Sequence, residues 1–63
     1  MNIGDMVTRK SYNNDIIFKI VSFIIDSNNQ KIAILKGVAF RVLADSNIED
    51  LEIVNQKELR EIL

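Results

Sequence analysis

The chain has 63 residues, with 8 Lys and Arg against 9 Asp and Glu, a formal net charge of -1, and neither Cys nor His. A domain this small buries only about 60% of the surface its unfolded form exposes, and disulfide, thiolate and imidazole staples are excluded, so Ile, Val, Leu and Phe must supply the core. The same composition lacks the His and Cys that acid–base and nucleophilic catalysis most often recruit, and its charge provides no overall field for phosphate backbones.

At the N-terminus, Met1-Asn2-Ile3-Gly4-Asp5 lacks the basic-then-apolar order of a signal peptide. The longest apolar run, residues 20–25, is interrupted by Ser22 and falls far short of the roughly 20 residues of a membrane span. The expectation is a cytoplasmic chain without membrane contact. Residues 3–10 alternate, with Met6 and Thr8 on one face and Val7 and Arg9 on the other, and predict a first strand that Gly4 enters through a positive φ. Ser11-Tyr12-Asn13-Asn14-Asp15 gathers short polar side chains that bond their own backbone and predicts a loop.

Residues 16–25 are nearly all strand formers, with Phe18, Ile20, Ser22 and Ile24 on one face and Ile17, Lys19, Val21, Phe23 and Ile25 on the other. Both faces are largely apolar. This predicts a long strand that either bends so that each half serves a different part of the core, or is covered on its second side by something else. In the latter case Ile17, Val21, Phe23 and Ile25 form an interface patch, covered by a C-terminal stripe, a second copy of the chain or a downstream region. A polar turn at residues 26–30, tipped by Asn28-Asn29, makes the next pair a hairpin. Residues 31–36 and 38–44 are two further strands separated by Gly37.

Ser46 and Glu49 have capping-box spacing and predict one helical turn ahead of a short last strand at 52–54. Asn55 and Glu58 repeat that spacing, and Leu59, Ile62 and Leu63 follow at helical intervals, so a short C-terminal helix starts at 55. No stop signal follows it. The architecture expected is all-β: a five-stranded SH3-like barrel over 1–54, with 55–63 as the start of a helix or linker. Its predicted core is Val7, Phe18, Ile20, Ile32, Ile34, Phe40, Val42, Leu51 and Ile53. A one-residue slip in the third strand would exchange Ile32 and Ile34 for Ala33 and Leu35.

No constellation that carries chemistry emerges. The carboxylates Asp45, Glu49, Asp50 and Glu52 lack the spacing and Gly of a Ca²⁺ loop, and two isolated glycines build no phosphate cradle, so neither metal nor cofactor is expected. Arg9, Lys10, Lys19, Lys31, Lys36 and Arg41 fall on predicted strands and keep a nucleic-acid-binding module as the alternative reading, against which stand the acidic balance and a single Tyr for base stacking. Protein contact is favoured, with Tyr12, Phe23 and Arg41 as the candidate contact residues. Arg41 is also expected to tether a strand to a loop by pairing with Asp15 or Asp45.

Gly4-Asp5-Met6-Val7, Arg9-Lys10-Ser11-Tyr12, Asp15, Phe18, Ala33-Ile34-Leu35, Gly37, Arg41, Ala44-Asp45-Ser46 and Asp50-Leu51 follow one another in an order that resembles the N-terminal segment of the sporulation-specific YabG protease family. The resemblance spans nearly the whole chain, and GDMVTRKSYNNDIIFKI is its most specific piece. It implies a parent protease of a spore-forming bacterium, cysteine-type, that trims spore coat proteins and whose catalytic part lies C-terminal to this segment. No catalytic residue of that family maps onto a position here. The implied role is a leading accessory domain of the mother cell or forming spore that recruits substrate, docks on the protease domain or localises it. The implied partners are that domain or spore coat substrates, with a homodimer as a further expectation.

Overall fold

The computed structural model describes residues 1–54. Five antiparallel strands form one sheet in the order β4-β3-β2-β1-β5: β1 Met6–Arg9, β2 Phe18–Ile25, β3 Lys31–Gly37, β4 Leu43–Asn47 and β5 Leu51–Ile53. Two 3-10 turns punctuate it, Lys10–Tyr12 after β1 and Ile48–Asp50 before β5. The all-β, five-stranded expectation holds, and the order is broadly that of an SH3-like barrel. Among the described residues the sheet is not closed, because β4 and β5 remain its two ends. The expected helix at 55–63 lies outside the described residues.

Turn chemistry placed the connections. Gly4 takes φ 97, as its position ahead of β1 requires, and Asn29 takes φ 62 at the tip of the β2–β3 hairpin. There the Asp26 carboxylate accepts the backbone N–H groups of Asn28 and Gln30, both at 2.9 Å. Asn13 and Asn14 are also left-handed, at φ 58 and 53, so the loop after β1 is a tight wrap. The predicted helical turn exists at Ile48–Asp50, but its capping box does not. Asn47 is the N-cap without a side-chain bond, and the Ser46 hydroxyl donates instead to the Asn47 carbonyl at 3.1 Å.

The core is Val7, Phe18, Ile20, Ala33, Leu35 and Leu51. Burying aliphatic and aromatic side chains of this size contributes about 1.5 to 3 kcal/mol each. Val7, Phe18, Ile20 and Leu51 were expected there, but Ile32 and Ile34 were not confirmed: both are only partly buried, and Ala33 and Leu35 are fully buried in their place. The register explains the exchange. Leu35 pairs with Ile20 and Ala33 with Phe23, so the core-facing set of β2 selects the odd-numbered residues of β3.

Between Ile20 and Ser22 the ladder shifts by one, so Val21 is a β-bulge. The bulge inverts the faces of the second half of β2. Phe23, expected opposite Phe18 and Ile20, is half-buried and packs against the core across from the small Ala33. The bending alternative therefore applies to Phe23, while Val21, Ile24 and Ile25 remain exposed.

The fourth strand starts later than the expected residue 38. Gly37 N–H bonds the Val42 carbonyl at 2.8 Å and Val42 N–H bonds the Phe40 carbonyl at 2.9 Å, which makes residues 38–42 a loop. Phe40 consequently lies on the surface at 64% exposure instead of in the core, and Val42 only packs against the core's margin. A Cβ on Gly37 would collide with the Phe40 carbonyl oxygen and lie 2.8 Å from Val42 Cγ1, so glycine is required for this close approach. The last strand begins one residue earlier than expected, with Leu51 buried. Ile53, also expected in the core, is 53% exposed because it ends an edge strand with no neighbour on its outer side among the described residues.

Candidate protein-contact groove

At the C-terminal end of β1 the chain turns sharply, and that turn builds one wall of a groove. Arg9 lies on the same face as Val7, beyond the core, and its guanidinium Cζ sits 3.8 Å from the Tyr12 ring centroid and 4.9 Å from that of Phe18. The 3-10 turn Lys10–Tyr12 carries the Tyr ring back over the Arg. Stacking a weakly hydrated guanidinium on ring faces is favourable and fixes both groups. Its Nε is buried without a hydrogen-bond partner among the described residues.

The same turn is tied to the far end of the chain. Ser11 donates its N–H to one Asp50 carboxylate oxygen at 2.9 Å and its hydroxyl to the other at 2.6 Å. These bonds, the Ser11 hydroxyl first, hold the Asp50 carboxyl below its ordinary value of 3.8, with Lys10 and Arg9 adding favourable charge and desolvation opposing. Beside it, Thr8 Oγ1 donates to Asn14 Oδ1 at 2.7 Å, and Asn14 Nδ2 reaches Glu52 at 3.4 Å. Two segments 39 residues apart in sequence are thus joined by side chains.

Between this clasp and β4 runs a groove of about 540 Å³, lined by Arg9, Ser11, Tyr12 and Asp50 from the clasp, by Ala44, Asp45, Ser46 and Asn47 from β4, and by Ile32 of β3. Of the three candidate contact residues, only Tyr12, 54% exposed, lies here. Arg41 is exposed in the loop before β4 and lines a separate, largely apolar hollow with Lys36, Val42 and Leu43. It forms no hydrogen bond to Asp15 or Asp45 among the described residues, because it sits on a loop instead of the expected strand. Phe23 lines neither and stacks under Lys31 Nζ, 4.3 Å from its centroid.

The basic residues are distributed over the sheet. Arg9 is in the groove, Lys31 is over Phe23, Lys19 and Lys36 are cross-strand neighbours, and Lys10 and Arg41 lie on turns. Sequence reasoning missed Ser11, Asp45 and Asp50 as groove residues. The adjacency of Arg9 and Tyr12 across a turn-forming run was the one local signal; the Ser11–Asp50 clasp left none. Among the described residues no group of three or more acidic, His or Cys side chains is placed to hold a metal ion. No helix among them is long and apolar enough to cross a membrane.

Comparison with known proteins gave two matches of sequence. The family model for YabG peptidase U57 matches residues 2–63. The sporulation-specific protease YabG of Bacillus subtilis (strain 168) is 46% identical over 56 residues, which are 89% of this chain and 19% of that protein. The chain therefore spans about a fifth of the length of the curated relative it matches. No solved structure matches.

Proposed function

This chain belongs to the YabG peptidase U57 family, and on that premise we propose that residues 1–54 form a non-catalytic accessory domain that recruits protein substrates to a sporulation protease. The parent chain is a cysteine-type peptidase acting on spore coat proteins in the cytoplasm of the mother cell or forming spore. The reading of a non-catalytic segment rests on its residue set, which has no Cys and no His. The observation that carries recruitment is the groove. A stacked Arg9–Tyr12 pair and a clamped Asp50 give it one fixed wall, and a fixed wall with an exposed aromatic is what an interface anchor needs. Tyr12 is the principal contact, Arg41 extends the surface beyond β4, and Phe23 supports the sheet from the core side.

The test compares two substrates of the full-length peptidase. Tyr12→Ala is expected to raise KM for a spore coat protein roughly tenfold, the effect of about 1.4 kcal/mol, and to leave kcat/KM for a short chromogenic peptide unchanged. Equal losses on both substrates would mean that the domain supports the catalytic part instead of recruiting substrate.

A further inference from the structure

The groove's second wall differs from its first in that it is built of consecutive residues. Side chains of a strand alternate between faces, so Ala44, Asp45, Ser46 and Asn47 can line one groove together only if it runs along the edge of β4. Among the described residues that edge is open, since β4 is bonded to β3 on one side and to no strand on the other.

Which groups face the opening follows from the ladder. Gly37 N–H bonds Val42 O, and bonded pairs alternate in an antiparallel ladder, so the next ones are Leu35 with Ala44 and Ala33 with Ser46. Leu43, Asp45 and Asn47 therefore turn their backbone groups outward. The Asn47 carbonyl is taken by the Ser46 hydroxyl. By that alternation β3 does not use the N–H and C=O of Asp45, and no turn or loop backbone bond takes them among the described residues.

We propose that β4 takes up an extended segment of the protein substrate as an added strand, with a Lys or Arg opposite Asp45 and Tyr12 closing over it from the facing wall. This deepens the recruitment reading and rests on it. Strand addition draws its affinity from main-chain hydrogen bonds and its selectivity from alternate side chains. Asp45 is exposed and projects from the centre of the edge, so it decides the selectivity. The same carboxylate argues against a second copy of this chain as occupant. Two-fold antiparallel pairing of β4 centred on Asp45 would set two carboxylates opposite each other, and like charges so placed are destabilising. The other end of the sheet is no substitute, because β5 has three residues and its Glu52 is already engaged by Asn14.

The experiment is fluorescence anisotropy of labelled short peptides against the 63-residue chain, with folding followed by circular dichroism. An alternating Thr–Lys peptide is expected to bind. N-methylation of its bonding edge should weaken binding by at least about tenfold, the loss of two amide hydrogen bonds. Asp45→Lys should transfer the preference to an alternating Thr–Glu peptide. Asp45→Pro removes the carboxylate together with an N–H that β3 does not use, a backbone change edge strands tolerate, and should abolish binding of both peptides, whereas Asp45→Lys only exchanges them. Binding indifferent to N-methylation, no binding at all, or a dimer of the chain that Asp45→Pro dissolves would each overturn the proposal. The N-methylated peptide keeps the test decisive if the proline variant fails to fold. If Tyr12→Ala raises KM for the coat protein while no peptide pairs with β4, recruitment stands and strand addition falls.

Discussion

The two ends of the sheet are built in opposite ways. At one end, β5 is three residues long and is rooted by Leu51, which is 5% exposed, while the Ser11–Asp50 and Asn14–Glu52 bonds bind its approach and its body to the turn after β1. At the other, β4 has five residues, none of them buried, and an outward row of backbone donors and acceptors. Open edges invite pairing with any chain, and proteins blunt them by shortening, covering or charging them. Here β5 is short and tied by side chains to the turn after β1, whereas β4 is longer and charged. A charge suppresses self-pairing but leaves the edge available to a segment of opposite sign, so the difference separates a structural end from a receptive one.

The largest effect expected is at the rooted end. Leu51→Ala should cost about 2 to 5 kcal/mol by leaving a cavity, while Leu43→Ala, at a position 74% exposed, should stay within about 0.5 kcal/mol, both read by urea unfolding. Similar costs at both positions would remove the contrast. An intermediate effect is expected from Gly37→Ala. The new methyl meets the Phe40 carbonyl, and overpacking of this kind costs about 1 to 3 kcal/mol. Because this turn sets the entry of β4, the variant should also weaken peptide binding.

The smallest effect sharpens the account of the clasp. The lowered pKa of Asp50 means that its stabilisation is complete above the ordinary value of 3.8 and is lost as pH falls through the still lower folded value. Ser11→Ala should therefore melt slightly below the parent at neutral pH and converge with it in strong acid. The single Tyr, in a chain without Trp, makes intrinsic fluorescence a direct report on the clasp. A gap between the two proteins that persisted in acid would show that Ser11 acts without the Asp50 charge.

Much of this arrangement was legible in sequence. Val7, Phe18, Ile20 and Leu51 lie in the core as their alternation required, and the polar runs at 11–15 and 26–30 became turns. Reading failed at β3 and at the second half of β2, for a shared reason. Ile32 and Ile34 look more like core residues than Ala33 and Leu35 do, and Phe23 looks as though it opposes Ile20, until the bulge at Val21 shifts one half of β2 against the other. Phe40 and Val42 read as strand because their types favour it, but two loop hydrogen bonds hold them outside the ladder. Of the groove, Tyr12 was legible as an isolated aromatic beside a turn, and Asp45 and Asp50 were not distinguishable from a solvated acidic face.

The sequence by itself determined the class of the fold, the number of strands, the turns at 11–15 and 26–30 and the want of a Cys or His nucleophile or base, because propensity, left-handed Asn and Gly positions and side-chain chemistry are properties of residues and near neighbours. Only the tertiary structure decided which face of β3 is inside, that Phe23 turns to the core, that Ser11 meets Asp50 and that β4 keeps an open edge among the described residues. Each of these depends on register between segments far apart in the chain. With a side-chain period of two, a single-residue shift in register exchanges inside for outside without any change in local preference.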